Sequence, residues 1–467
     1  YSMRQKEKKE ANLGEDRIGG LLFKLALPAI LAQVINLLYN LVDRMYIGHI
    51  AEVGSVALTG LGVTMPFIMC VSAFAALVSM GGAPRASIMM GRGNKEEAER
   101  ILGNCTSMLV LVAVIVTVVS QIWGQDILLL FGASESTLPY AWAYMQIYSL
   151  GTIFVQLALG LNAFINAQGF ARTGMLTVVI GAVCNIVLDP IFIFGLHMGV
   201  RGAALATILS QGVSCVWIVR FLLGKETILR IRKGNLKIRP KTVGPCIALG
   251  VAPFIMQFTE SVLNICFNTS LLKYGGDVAV GAMTILSSVM QMSMLPIQGL
   301  TQGAQPIIGF NYGAKKMDRV KKTFRLLLVS CVAFTAVIWL ICMILPQAFI
   351  LIFTDQAELI AFTKWAIRIY MAVSVIFGVQ ISCQQTFIAL GNAKTSVFLA
   401  LLRKVILLIP LIYILPAFME DKLMAVFLAE PVADVIAVTT TSILFYRTYR
   451  TLDREQEESC NTENVNL

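Results

Sequence analysis

Gln33, Asn36, Asn40 and Asp43 stand three, four and three residues apart, so on a helix they share one face. A second set, Asn185 and Asp189, is four residues apart and ends at Pro190. A third, Gln257, Glu260 and Asn264, repeats the first spacing, and Glu430 with Asp434 makes a fourth pair one turn apart. Carboxylate and amide oxygens are hard ligands for a small cation, and burial disfavours the charged form of a carboxylate, so it takes a proton more readily. Such stripes can bind and release a cation or a proton. They can also glue helices together by hydrogen bonds; the recurrence of the stripe in the second half favours a site. Enzyme chemistry has little to build on. His49 and His197 are far apart, no His-Glu-x-x-His run occurs, and no Gly-x-x-x-x-Gly-Lys-Ser/Thr loop is present for a nucleotide. Nine of the ten cysteines lie in apolar segments and none forms Cys-x-x-Cys, which suggests small core residues.

The elements that carry these residues are apolar. The chain is 57% hydrophobic and 14% charged over 467 residues, against about 25% charged for a soluble domain. A polytopic, all-α integral membrane protein follows. The apolar runs predict twelve spans, over 21–48, 55–80, 102–123, 139–166, 173–196 and 202–223, then 244–270, 278–308, 326–346, 363–390, 395–417 and 423–446. The polar residues 1–17 lead straight into the first span, and no cleavable signal is apparent.

The net charge of +10 reports orientation rather than a nucleic-acid partner. Arg4, Lys6, Lys8 and Lys9, then Arg92, Lys95 and Arg100, then 225–241, 315–325 and Arg447, Arg450 and Arg454 all fall on one side. The other side receives Arg201, Lys273 and Lys422. The expected organisation is a cytoplasmic tail (1–20), a first lobe (21–223), a basic cytoplasmic linker along the membrane surface (224–243), a second lobe (244–446) and a cytoplasmic C-terminal tail (447–467).

The two halves repeat each other. Pro28 recurs as Pro253, and Gln33, Asn36 and Asn40 align with Gln257, Glu260 and Asn264. Gly93 and Lys95 are set against Gly313 and Lys315, Trp142 and Tyr148 against Trp365 and Tyr370, and Ala167, Gly169, Ala171 and Thr173 against Ala389, Gly391, Ala393 and Thr395. An even number of spans per repeat implies two parallel six-helix bundles about an axis along the membrane normal, with the substrate between them. The acids differ between the halves: Asp43 in the first span is answered in the seventh by Glu260, a turn or two earlier at the position of Asn36, Asn185 and Asp189 correspond to a wholly apolar stretch at 405–409, and Glu430 and Asp434 belong to the last span.

At these residues the chain resembles the multidrug and toxic compound extrusion (MATE) family, most closely its MepA-like bacterial branch, over about residues 15–450. The motifs are Val42, Asp43 and Gly48 in the first span, Asn185-Ile186-Val187-Leu188-Asp189-Pro190 in the fifth, Gly202-Ala203-Ala204-Leu205-Ala206-Thr207 in the sixth, and Glu260 in the seventh. The resemblance implies twelve helices in two lobes and efflux of lipophilic, mostly cationic drugs in exchange for H+ or Na+. It places the coupling cation at Asp43, Asn185, Asp189, Thr207 and Asn162, with Asp43, Asn185 and Asp189 as metal ligands if the ion is Na+. It implies no cofactor beyond that ion, a monomer in contact with membrane lipid, and a multi-pass protein of the bacterial inner membrane with both termini cytoplasmic.

The residues expected to meet substrate are Asn36, Asn40, Gln257, Glu260, Asn264, Glu430 and Asp434. Some family members carry an acid in the tenth span, where this chain has Ser382-Cys383-Gln384-Gln385, which leaves Glu430 or Asp434 as replacements. The alternative is a flippase for a lipid-linked saccharide, built on the same two-bundle plan. That activity needs a basic cavity for pyrophosphate and draws attention to Arg403 and Lys404.

Overall fold

The computed structural model describes residues 12–50 and 54–465, so the basic residues of the expected N-terminal tail, Arg4, Lys6, Lys8 and Lys9, lie outside it. The first half runs α1 (Ile18–Gly48), α2 (Gly54–Gly91), α3 (Lys95–Leu130), α4 (Leu138–Leu150), α5 (Thr152–Ala167), α6 (Ala171–Pro190) and α7 (Val200–Leu223). The second runs α8 (Pro240–Gly313), α9 (Met317–Ile344), α10 (Gln347–Phe353), α11 (Ala357–Tyr370), α12 (Phe377–Ala389), α13 (Ala393–Leu401), α14 (Ile409–Phe418) and α15 (Lys422–Val465). Every backbone polar group in a bilayer core must be satisfied internally, and helices do this within one segment.

Among the described residues nine helices are long and apolar enough to span a membrane, and two bent pairs, α4 with α5 and α11 with α12, raise that to 11. The 74-residue α8 counts twice, because Gly276 (φ 70°) breaks it into two spans. Twelve spans result, six in each half, and the fold is the two-bundle membrane architecture that the sequence implies.

The helices outrun the apolar segments. The second span continues to Gly91 rather than 80, and the third opens at Lys95 rather than 102. Polar residues at a helix end cost nothing once they reach the headgroup region. There the Asn94 side chain accepts a hydrogen bond from the Glu97 amide (3.2 Å), and Glu96 and Glu97 face the positive end of the helix dipole. Two spans expected to be straight bend instead, α4 to α5 by 59° and α11 to α12 by 52°. Gly151 marks the first bend, where a Cβ would stand 2.4 Å from the Ile208 side chain.

The repeat is visible in the backbone, with one correction to its register. Gly93 (φ 79°) terminates α2 as Lys315 (φ 60°) terminates α8, and Gly169 (φ 92°) corresponds to Gly391 (φ 77°). Gly93 therefore pairs with Lys315, not with Gly313 as sequence similarity suggests. Both halves use the left-handed conformation to turn the chain out of a helix, and in the second half a lysine bears the strain that a glycine avoids.

The halves grip each other reciprocally. The early residues of α1 (Leu21, Leu22, Leu25) share an apolar cluster with Ile297, Ile307 and Ile308 of α8, while Cys246 at the start of α8 joins the cluster of α2, α3 and α5. Backbones touch where side chains vanish: a Cβ on Gly81 would lie 1.7 Å from the Cys246 carbonyl oxygen, and one on Gly303 would lie 2.7 Å from Ala26 Cα.

The basic segment between the halves is not a loose surface linker. The Gln168 side-chain oxygen accepts from the amides of Ile228 (2.9 Å) and Leu229 (3.0 Å), Glu99 pairs with Arg232 (2.7 Å), and Asn104 accepts from the Arg239 amide (2.6 Å). That pairing holds the guanidinium of Arg232 above its ordinary pKa, through the hydrogen bond and charge of Glu99. The start of the described chain is strapped to the second half, where Asn311 and Arg319 donate to the Leu13 carbonyl at 2.9 and 3.1 Å.

Candidate functional site

A cavity of about 250 Å³ lies within the first half and reaches the boundary with the second. Gln33, Asn36 and Tyr39 from α1, Asn162 from α5, Asn185 from α6 and Thr207 from α7 line it, and Gln257 reaches it from α8. Ser72 Oγ donates to Gln257 Oε1 (3.3 Å) and so links the lobes at its rim. The polar stripe of α1 thus continues from Asn36 through Tyr39 rather than through Asn40, which is solvent- or lipid-exposed and is not in the lining. Positions 36, 39 and 43 also follow helical spacing, and Tyr39 escapes sequence reasoning because aromatic residues in apolar helices usually read as packing.

Behind this lining α1 and α6 place two acids together. Asp43 and Asp189 lie within electrostatic reach of each other, with Asn185 beside them. All three are buried, Asp189 completely. Asp43 Oδ1, both carboxylate oxygens of Asp189, and both polar atoms of the Asn185 amide have no hydrogen-bond partner among the described residues. Buried polar groups are nearly always paired, and a buried acid pair without a donor is costly unless something positive joins it. The orphaned set is rich in oxygen, which fits a shared proton or a small hard cation such as Na+. Tyr144, also not foreseen, packs against Thr207 and within electrostatic reach of Asp43. Thr207 Oγ1 is spent on the Ala203 carbonyl (3.0 Å), and Asn162 donates to the Gly174 carbonyl (3.3 Å) while its own oxygen is orphaned. Both line the cavity beside Asn185 rather than joining the acid pair.

The second half treats its acids differently. Glu430 and Asp434, on α15, are both 2% exposed and lie against Arg403, at 2.7 Å from its Nη2 and 3.1 Å from its Nε. The Arg403 guanidinium also covers the Phe377 ring at 4.5 Å. Glu260 accepts from Lys404 Nζ (2.6 Å). Glu430 and Asp434 were expected to meet substrate, but they share Arg403 inside the lobe and lie outside the cavity lining. Asn264 is half-buried and is also outside that lining. In the tenth span, Gln384 donates to the Ser396 carbonyl (2.9 Å) and Ser382 to the Gly378 carbonyl (2.7 Å), ordinary intralobe bonds.

Known proteins share this fold. The chain is 23% identical over 426 residues to the multidrug export protein MepA of Staphylococcus haemolyticus (strain JCSC1435), covering 91% of this chain and 93% of that protein. The solved structure of the MATE multidrug transporter DinF-BH, determined as a ligand complex, is 33% identical, with a TM-score of 0.86 over 94% of this chain and 98% of that one. An outward-facing multidrug resistance MATE family transporter of the MOP superfamily, at 21% identity, matches in fold with a TM-score of 0.86 over 96% and 99% of the two chains. The MatE family model matches residues 28–191 and again 253–414, once in each half of the repeat, and the chain belongs to the MATE family.

Proposed function

We propose that this protein is a secondary active multidrug efflux antiporter, exporting lipophilic and mostly cationic compounds in exchange for H+ or Na+ by alternating access of its two lobes. The observation that carries this reading is the buried pair Asp43 and Asp189 with Asn185, whose oxygens lack donors. A site that must be completed by a proton or cation, set behind a cavity lined by both polar and apolar side chains, is what coupling to an ion gradient needs. If the driving ion and the drug favour opposite facing states, each promotes release of the other. The relatives support the substrate class: the MepA proteins are multidrug export proteins, and the transporter 33% identical to this chain is a multidrug transporter solved with a small molecule bound.

Asp43, Asn185 and Asp189 hold the ion, as metal ligands if it is Na+, with Asn162 and Thr207 lining its approach. Substrate meets Gln33, Asn36, Tyr39 and Gln257, with Glu260 and Asn264 on the same face of α8 as Gln257. Both termini and the 224–243 segment face the cytoplasm of a bacterial cell, and the protein works as a monomer. No catalytic step is involved, and no cofactor beyond the coupling ion. Arg403 and Lys404 are each seated on carboxylates, so they offer a pyrophosphate no free basic cavity and lend the flippase alternative no support. Dye transport in inverted vesicles, with a pH gradient and a Na+ gradient applied separately, tests the proposal. Uptake should follow one or both gradients, and gradient-independent equilibration would overturn it.

A further inference from the structure

The charge cluster of the second half has no task in this scheme. α13 runs into a π-helical turn, Leu402–Leu408, and such turns often mark functional positions. Two consecutive residues of the turn send cations in different directions. Arg403 is fixed, its fork divided between Glu430 and Asp434 and its plane over Phe377. Lys404, 8% exposed, is held more lightly, its Nζ donating to Glu260 Oε2 (2.6 Å) and to the Met256 carbonyl (2.7 Å). Its partner is open by comparison, since the Glu260 side chain is 42% exposed. Glu260 follows Gln257, which lines the cavity, by one helical turn, so both point to the same side of α8. The corresponding stretch of α6, 179–187, contains no base.

We infer that Lys404 is a tethered cation that occupies Glu260 between transport events, so that a cationic substrate gains Glu260 only by displacing it. A lysine suits this part because its charge is a compact point on a flexible stem, whereas an arginine fork is committed by its geometry. The displaced ammonium stays in the lobe, so an arriving cation adds one positive charge to a cluster of three acids (Glu260, Glu430, Asp434) and two bases (Arg403, Lys404) and leaves no buried carboxylate unpaired. Glu430 lies within electrostatic range of Lys404 and offers the displaced ammonium a second partner. Neutral ligands do not make the exchange; for a cation, Lys404 holds the affinity below what Glu260 alone would give, which favours release. The inference rests on the cationic-substrate reading given above.

Ethidium binding to purified protein, followed by fluorescence at fixed ionic strength, tests it in the wild type, Lys404→Gln, Glu260→Gln and the double variant. Lys404→Gln should tighten binding several-fold. Glu260→Gln should weaken binding, and should undo the gain when added to Lys404→Gln. Weakened or unchanged binding in Lys404→Gln would overturn the inference. A second readout uses the wild type alone: reductive methylation of Lys404, quantified by mass spectrometry, should rise several-fold when ethidium saturates the protein. Unchanged or reduced labelling would contradict displacement even if the variants failed to fold. A flat ethidium titration for every protein would overturn the cationic-substrate reading itself, an outcome distinct from binding without coupling between the two residues.

Discussion

A Cβ on Gly91 would stand 1.9 Å from the carbonyl oxygen of Phe310, and the contact is mirrored by Gly313, whose Cβ would stand 2.0 Å from the carbonyl of Ile88. The ends of α2 and α8 thus meet backbone to backbone, beside Arg92, Lys95, Lys315 and Lys316. The two halves are therefore in direct backbone contact at this basic end of the molecule.

Gly91→Leu should therefore bias the lobes against closing at that end. Overpacking costs about 1–3 kcal/mol, and a difference of that size shifts a two-state population roughly 5- to 150-fold. Dye efflux from cells should fall accordingly at unchanged membrane expression, while ethidium still binds the purified variant. Wild-type efflux would show that close approach at Gly91 is not needed for the transport cycle.

The Arg403 cluster should matter for stability before transport. Arg403→Gln leaves Glu430 and Asp434 buried without their counter-ion, which costs about 3–5 kcal/mol. A clear drop in the melting temperature of detergent-solubilised protein should result, partly recovered by adding Glu430→Gln. An unchanged melting temperature would place the cluster outside the packed core.

Helix number, the repeat and the acids of α1, α6 and α8 were legible in the sequence because each rests on local pattern: apolar run length, spacing along one helix, and similarity between halves. Pairings between distant elements were not. Glu260 and Lys404 are 144 residues apart, and their contact depends on how α13 turns against α8. The same limit hid the burial of Glu430 and Asp434 against Arg403. The bend at Gly151 escaped because both arms are apolar and hydropathy is blind to direction. The register slip at Gly93 arose because sequence similarity matched glycine to glycine, whereas backbone geometry matches Gly93 to Lys315.

Orientation is open to direct chemistry. Gly234 is exposed and a Cβ there meets nothing within 4 Å, unlike its neighbour Asn235, whose carbonyl accepts from Asn104. A single cysteine at Gly234 in a Cys-free background should resist a membrane-impermeant maleimide in intact cells and react once they are opened. Labelling in intact cells would reverse the topology and with it the direction of export.

The central claim is that Asp43 and Asp189 together bind the ion that drives transport. Their carboxylates share one buried site with Asn185, so removing either charge should disable the pair rather than halve it. The direct measurement is gradient-driven ethidium uptake into inverted vesicles carrying wild type, Asp43→Asn or Asp189→Asn at matched expression, alongside ethidium binding to each purified protein. The account predicts that both variants lose gradient-driven uptake while still binding ethidium. Wild-type uptake by either variant, correctly inserted in the membrane, would contradict it.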